Sequence, residues 1–127
     1  MTARRGVVLD AGAFIALERR KPVMVHLCQR FRAARTPLVT SACVVAQIWR
    51  GGAGVQAPVA WLLRSVEVED LTSAVAKVVG RMLGATGATD PADAHVVLLA
   101  RLRDWAVLTS DAGDLRALDP TLALQEI

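Results

Sequence analysis

The sequence predicts an α/β fold with three layers, a central parallel sheet flanked by helices. Two observations predict it. Short apolar, β-branched runs such as Val7-Val8-Leu9 and Val107-Leu108 alternate with longer stretches of helical period, the pattern of strands buried on both faces and joined by helical crossovers. The chain also has 127 residues, 54% of them hydrophobic and 21% charged. That is too apolar for disorder and the size of one domain, so a single domain over residues 1–127 is expected.

Val7-Val8-Leu9 reads as the first strand, followed by Asp10 and a helix from Gly12 to Arg20. Pro22 sits at the first turn of a second helix, since proline has no amide hydrogen to lose there. Pro37-Leu38-Val39 reads as the next strand. Thr40 or Ser41 then caps an apolar helix that Gly51-Gly52 stops. Pro58 opens a short helix, Val66-Glu67-Val68 is a strand, and Leu71 to Leu83 is helical. The run from Gly84 to Thr89 is expected to be a loop. Asp90-Pro91-Ala92-Asp93 then combines a cap, a proline at the first position and an acid in the first turn. Trp105 to Leu108 reads as a buried strand, Thr109-Ser110-Asp111 opens a last helix, and Leu122 to Ile127 is a final strand or extended tail.

No apolar run approaches the roughly 20 residues a bilayer requires, so no membrane association is expected. The run before Asp10 is too short for a signal-peptide core, which makes the cytoplasm the expected compartment. Cys28 and Cys43 lack metal-ligand spacing and read as reduced, packed thiols. Fifteen basic residues face twelve acidic ones, for a net charge of +3, and 13 of the 15 are arginine. Such a balance is compatible with nucleic acid. Aromatic residues make up 4% and tyrosine is absent, which argues against modules that stack bases. A nucleic acid would be held by its backbone.

The acids are better placed than the composition suggests. In an open parallel sheet, ligands bind beyond the carboxyl ends of the strands. Asp10 follows the first strand directly, Asp111 follows Val107-Leu108 after Thr109 and Ser110, and Asp93 lies in a first helical turn. Asp90 and Asp114 each stand three residues from one of these. Helix capping explains any one of them, but not the doubling of Asp90 with Asp93 and of Asp111 with Asp114. Converging carboxylates suit a hard Mg²⁺ or Mn²⁺ ion and metal-assisted phosphoryl transfer.

These residues also carry a resemblance. Val-Val-Leu-Asp10-Ala-Gly-Ala-Phe, Val-Thr40-Ser41, Asp90-Pro-Ala-Asp93-Ala-His95 and Val-Leu-Thr-Ser110-Asp111 occur in the order of the PIN domain. The chain resembles most the small VapC-like toxin ribonucleases of VapBC toxin–antitoxin modules. The resemblance implies an Mg²⁺- or Mn²⁺-dependent endoribonuclease, with Asp10, Asp93 and Asp111 at the acidic motif positions; Asp90 and Asp114, by their spacing, are candidates to assist. It further implies a transfer or ribosomal RNA substrate, a cognate antitoxin and a homodimer.

One position departs from the family pattern. Gln47 stands where the second acid, usually Glu, is expected. An amide oxygen can ligate a cation but brings no charge, so metal affinity should fall. Asp90, Asp114 or Glu18 are candidates to compensate, and the alternative is a weak or inactive PIN-fold module that binds RNA or protein. Thr109 and Ser110 are candidates to orient a water or a ligand, with capping as the simpler role. The basic cluster Arg19, Arg20, Lys21, with Arg50, is a candidate grip on RNA phosphates, although basic residues also suit helix C-termini. Arg30, Arg32 and Arg35 read as a solvated face, and His26 and His95 as packing or surface residues. Trp49, Trp61 and Trp105 read as core or interface anchors.

Overall fold

The computed structural model describes residues 5–127; the Met1–Arg4 segment lies outside it. Five strands, β1 (Val7–Leu9), β2 (Leu38–Ser41), β3 (Val66–Glu69), β4 (Ala106–Thr109) and β5 (Leu124–Glu126), form one sheet. Its order is β3-β2-β1-β4-β5, and every pairing is parallel. Seven α-helices are found among the described residues: α1 (Ala11–Glu18), α2 (Pro22–Ala34), α3 (Ala42–Ile48), α4 (Ala57–Leu63), α5 (Ser73–Thr86), α6 (Pro91–Arg103) and α7 (Ala112–Leu118). The result is the three-layer α/β/α arrangement that the alternating pattern predicts.

The central strands are apolar because both their faces are covered. Val8, Leu9, Val39, Val107 and Leu108 are buried, with α1 packed on β1 and β4 and α6 packed across β1, β2 and β4. α6 buries nearly its whole circumference, from Ala92 and Ala94 to Leu99 and Ala100, and α5 and α7 pack against it. The edge strands differ from the expectation of uniformly apolar strands. In β3, Glu67 and Val68 are exposed, and β5 is exposed at Gln125 and Glu126. An edge strand has one unpaired side, and charge there discourages further pairing.

Helix starts follow local chemistry. Ser41 caps α3 by accepting from the Cys43 amide at 2.9 Å, Thr72 caps α5, and Asp90 caps α6 by accepting from the Ala92 amide at 2.9 Å. One helix stop falls where the sequence places it and one does not. α3 ends at Ile48, before Gly51-Gly52. There the buried Gln56 side chain accepts from the Arg50 and Gly52 amides at 2.7 and 3.1 Å and donates to the Ile48 carbonyl at 2.6 Å, closing the helix end with a side chain. α5 runs through Gly84 to Thr86 and stops at Gly87 in the left-handed region, φ 77°. Gly84 costs the helix only about 1 kcal/mol, which the packing of Met82 and Leu83 on the core offsets.

Of the three tryptophans, Trp105 packs against the core. Trp49 and Trp61 are each 39% exposed, and Trp105 is half-buried with the Arg103 guanidinium 5.0 Å from its ring centre. Both cysteines are free thiols, Cys28 buried and Cys43 partly so. No helix among the described residues is long and apolar enough to cross a membrane.

Candidate metal centre

In this sheet the strand order reverses between β1 and β4, because the chain winds outward through β2 and β3 and then returns to the other side of β1. The helices following β1 and β4 therefore diverge, and a crevice opens at the carboxyl ends of those two strands. Asp10 directly follows β1 and Thr109 ends β4, so the crevice receives both.

Asp10 is buried, and each of its oxygens is held. Oδ1 accepts from the Ala11 amide at 2.8 Å, and Oδ2 accepts from the Thr109 hydroxyl at 2.9 Å. Thr109 Oγ1 in turn accepts from the Asp111 amide at 3.0 Å. With its lone pair engaged by that amide, the hydroxyl proton points at Asp10, and the start of α7 is tied to β1. Burial raises the Asp10 pKa, the Thr109 and Ala11 hydrogen bonds oppose the rise, and the charges of Asp90 and Asp111 add to it.

Asp93 lies in the first turn of α6. Its pKa is pushed up to about 7, first by burial and then by the charges of Asp90, Asp10, Asp114 and Asp111. Asp93 thus feels the charge of all four other candidate acids. Asp114 is raised too, through its hydrogen bond to Asp111 and the Asp111 charge. Asp111 occupies the N-cap position of α7 yet makes no capping hydrogen bond with its side chain, so capping does not account for it. The four ion pairs among the described residues join Arg5 to Asp104, Arg101 to Asp119, and Arg103 to Glu67 and Glu69. None of them reaches the five acids.

Gln47 is exposed on α3 and directs Nε2 at Asp90 Oδ2, 3.4 Å away, a long contact. It stands at the rim of the acid group. Glu18 does not: as the last residue of α1 it lies a helix length, about 12 Å, from Asp10. The same geometry carries Arg19, Arg20 and Lys21 to the opposite edge of the sheet, where all three are exposed. Arg50 bonds its own helix end, donating to the carbonyls of Ala46 and Trp49 at 3.3 and 2.7 Å. The expected basic grip is thus not assembled beside the acids.

Two contributions to the site were not evident from the residues alone. A Cβ on Gly12 would lie 2.0 Å from Ser110 Oγ and 2.8 Å from the Ser110 amide nitrogen. Only glycine lets the β4–α7 loop lie this close to α1, and the glycine two residues past Asp10 was the available sign. His95 is buried and its Nδ1 meets Ser41 Oγ at 2.6 Å. That contact pins α6, and with it Asp93, to the end of β2; nothing in the local spacing announces it.

The donor chemistry fits a hard divalent cation: carboxylate oxygens only, partly buried, mutually repelling and without a basic partner. The group is gathered but not closed. Among the described residues, no three histidine, cysteine or acidic side chains stand close enough to make a finished metal site.

Similarity to solved structures decides the fold. The DNA-bound VapBC structure from Salmonella typhimurium contains a chain that superposes with a TM-score of 0.70, at 20% identity, over 96% of this chain and 98% of that one. The structure of FitAB bound to an IR36 DNA fragment gives a TM-score of 0.62, at 17% identity, over 94% of each chain.

The fold is PIN-like.

No protein-family model matches the chain, and no curated protein is similar to it in sequence. These findings correct the expectation of a VapC-like toxin of a VapBC module. The structural likeness extends to FitAB as well as VapBC, at identities that carry the PIN-like fold alone.

Proposed function

We propose that this PIN-like protein is a metal-dependent endoribonuclease that acts as the toxin of a toxin–antitoxin pair. The observation that carries the reading is the group of five carboxylates at the switch point of the sheet, without a compensating base, in which Asp93 is driven to a pKa of about 7. Keeping such a group unpaired costs stability, and a cation neutralises it.

Asp10, Asp93 and Asp111 would hold Mg²⁺ or Mn²⁺, with Asp90 and Asp114 adding negative charge at the rim. A bound cation would supply Lewis acidity toward a phosphodiester and lower the proton affinity of water. The protein's own part is positional. Thr109 fixes the Asp10 carboxylate and the start of α7 together, and the Ser41–His95 contact fixes the base of α6. Asp93, its pKa raised to about 7 by burial and the neighbouring acids, would be held in its ionised form by a bound cation. Gln47 steadies Asp90 without adding charge. The two solved structures are complexes bound to DNA, which supports a partner for this chain, an antitoxin that carries DNA binding. A homodimer and a transfer or ribosomal RNA substrate belong to the same reading.

The test is cleavage of structured RNA by the purified protein in Mn²⁺. Activity should be abolished by EDTA and reduced about 100-fold or more by Asp93→Asn. EDTA-sensitive cleavage at an unchanged rate in that variant overturns the assignment. A second reading, a PIN-fold module that binds without cutting, is favoured by Gln47 at the position of an expected acid. It predicts RNA or protein binding with no cleavage at millimolar Mn²⁺.

A further inference from the structure

The opposite edge of the sheet carries a second concentration of charge, of the other sign. α2 ends at Ala34 and α4 at Leu63, and both ends stand beside Leu38, where β2 begins. Between them lies a hollow of about 510 Å³ lined by Arg32, Arg35 and Arg64, with Trp61 as an aromatic wall. Arg30 lines a different hollow, so the three arginines read as one solvated face are not one group. No carboxylate lines the basic hollow, and none of the four ion pairs among the described residues engages its guanidinium groups.

Helix C-termini favour basic residues, and Arg35 and Arg64 occupy the C-cap positions of α2 and α4. That preference accounts for each arginine singly. It does not require three to face a shared hollow, nor a tryptophan to remain 39% exposed beside them. The Arg32 guanidinium lies 5.8 Å from the Trp61 ring centre, at the outer limit of a cation–π contact, and leaves ring surface open. The volume exceeds what a bare phosphate fills and falls within the range of small-ligand sites. Guanidinium groups match phosphate oxygens in paired hydrogen bonds, and an indole face accepts a base by stacking.

We propose that this hollow is a nucleotide-binding site, with a phosphate held by Arg35 and Arg64 and a base laid against Trp61. It is separate from the acid group: the length of β2 divides the two, because Leu38 opens at the hollow and Ser41 closes beside His95 and α6. One nucleotide cannot occupy both. The nucleotide is either free or part of an RNA strand wrapped around the sheet edge. The site does not depend on the acids binding metal.

Isothermal titration of the full chain in EDTA tests this, with adenosine monophosphate, inorganic phosphate, an unstructured 12-nucleotide RNA and an oligoglutamate peptide as probes. Adenosine monophosphate should bind, at least about tenfold more tightly than phosphate, and should weaken about tenfold or more in Arg64→Gln and in Trp61→Leu. Arg64→Lys should recover part of the loss, and Arg30→Gln, which lines a different hollow, should leave the affinity unchanged. Binding should weaken with added salt. RNA binding tighter than the mononucleotide supports the site as a strand grip, and equal affinity supports a free nucleotide. Melting curves confirm that each variant is folded, and Arg35→Gln replaces any that is not. Failure of both nucleotide probes to bind overturns the proposal. So does affinity unaffected by Arg64→Gln, phosphate binding equal to the mononucleotide, or equal binding of an oligoglutamate peptide.

Discussion

Asp93 is where the cost of the acid group is concentrated. Its pKa of about 7 against an unfolded value near 3.8 means that the folded chain binds more protons than the unfolded one between those limits. Stability without metal is therefore full below about pH 4 and falls as pH rises through 7, insofar as Asp93 governs it. Asp93→Asn removes that penalty. We predict that in EDTA its melting temperature equals that of the wild type near pH 4 and exceeds it by a few degrees at pH 8. Thermal melts across that range check it; a variant less stable than the wild type at pH 8 contradicts it. Gln47 gives the complementary prediction. Its amide faces Asp90 across 3.4 Å, so Gln47→Glu adds a fifth neighbour's charge to Asp93, lowering metal-free stability and tightening Mn²⁺ binding. An unchanged Mn²⁺ titration removes residue 47 from the site.

Elements position these residues through contacts that local rules reach unevenly. The start of α6 was legible in full, since Asp90-Pro91-Ala92-Asp93 states cap, first turn and acid in four letters. The alternation of strands and helices was legible because burial on both faces forces apolar strands. Element ends were less so: α3 is closed by Gln56, eight residues past Ile48, and no local pattern shows which side chain will fold back. The approach of the β4–α7 loop to α1 depends on Gly12 in the same way. Gly12→Ala places a methyl group into the Ser110 backbone and side chain. It should destabilise the fold by about 1–3 kcal/mol, measured by denaturant unfolding, and should weaken metal binding as Thr109 and Asp111 shift away from Asp10. Wild-type stability in this variant contradicts the close packing. Likewise, Arg35 reads from the sequence as part of a solvated face and Arg64 carries no local signal; their meeting around Trp61 is a product of the tertiary fold.

At the scale of the molecule, charge is sorted between the two edges of one sheet. The net +3 conceals it. The acids stand at the carboxyl ends of the strands, and the arginines of the hollow stand at the amino ends. Away from both, Asp119 is held at a pKa of about 2 by hydrogen bonds from Thr121 and Arg101. Its folded value lies below the unfolded one, so its contribution is present above about pH 4 and is lost as pH falls through 2. Asp119→Asn should therefore lower stability at neutral pH by about 1–3 kcal/mol and leave it unchanged near pH 1.5. Denaturant unfolding at the two pH values checks this; an equal loss at both contradicts the ionic origin.

The central claim is that the five acids form a cation site. Calorimetric titration of the metal-free protein with Mn²⁺ at pH 7, in two buffers of different ionisation enthalpy, tests it most directly. The account predicts saturable binding accompanied by proton release, because Asp93 must give up its proton, with both lost in Asp10→Asn and Asp93→Asn. Absence of binding at millimolar Mn²⁺, or binding that survives both substitutions, contradicts it.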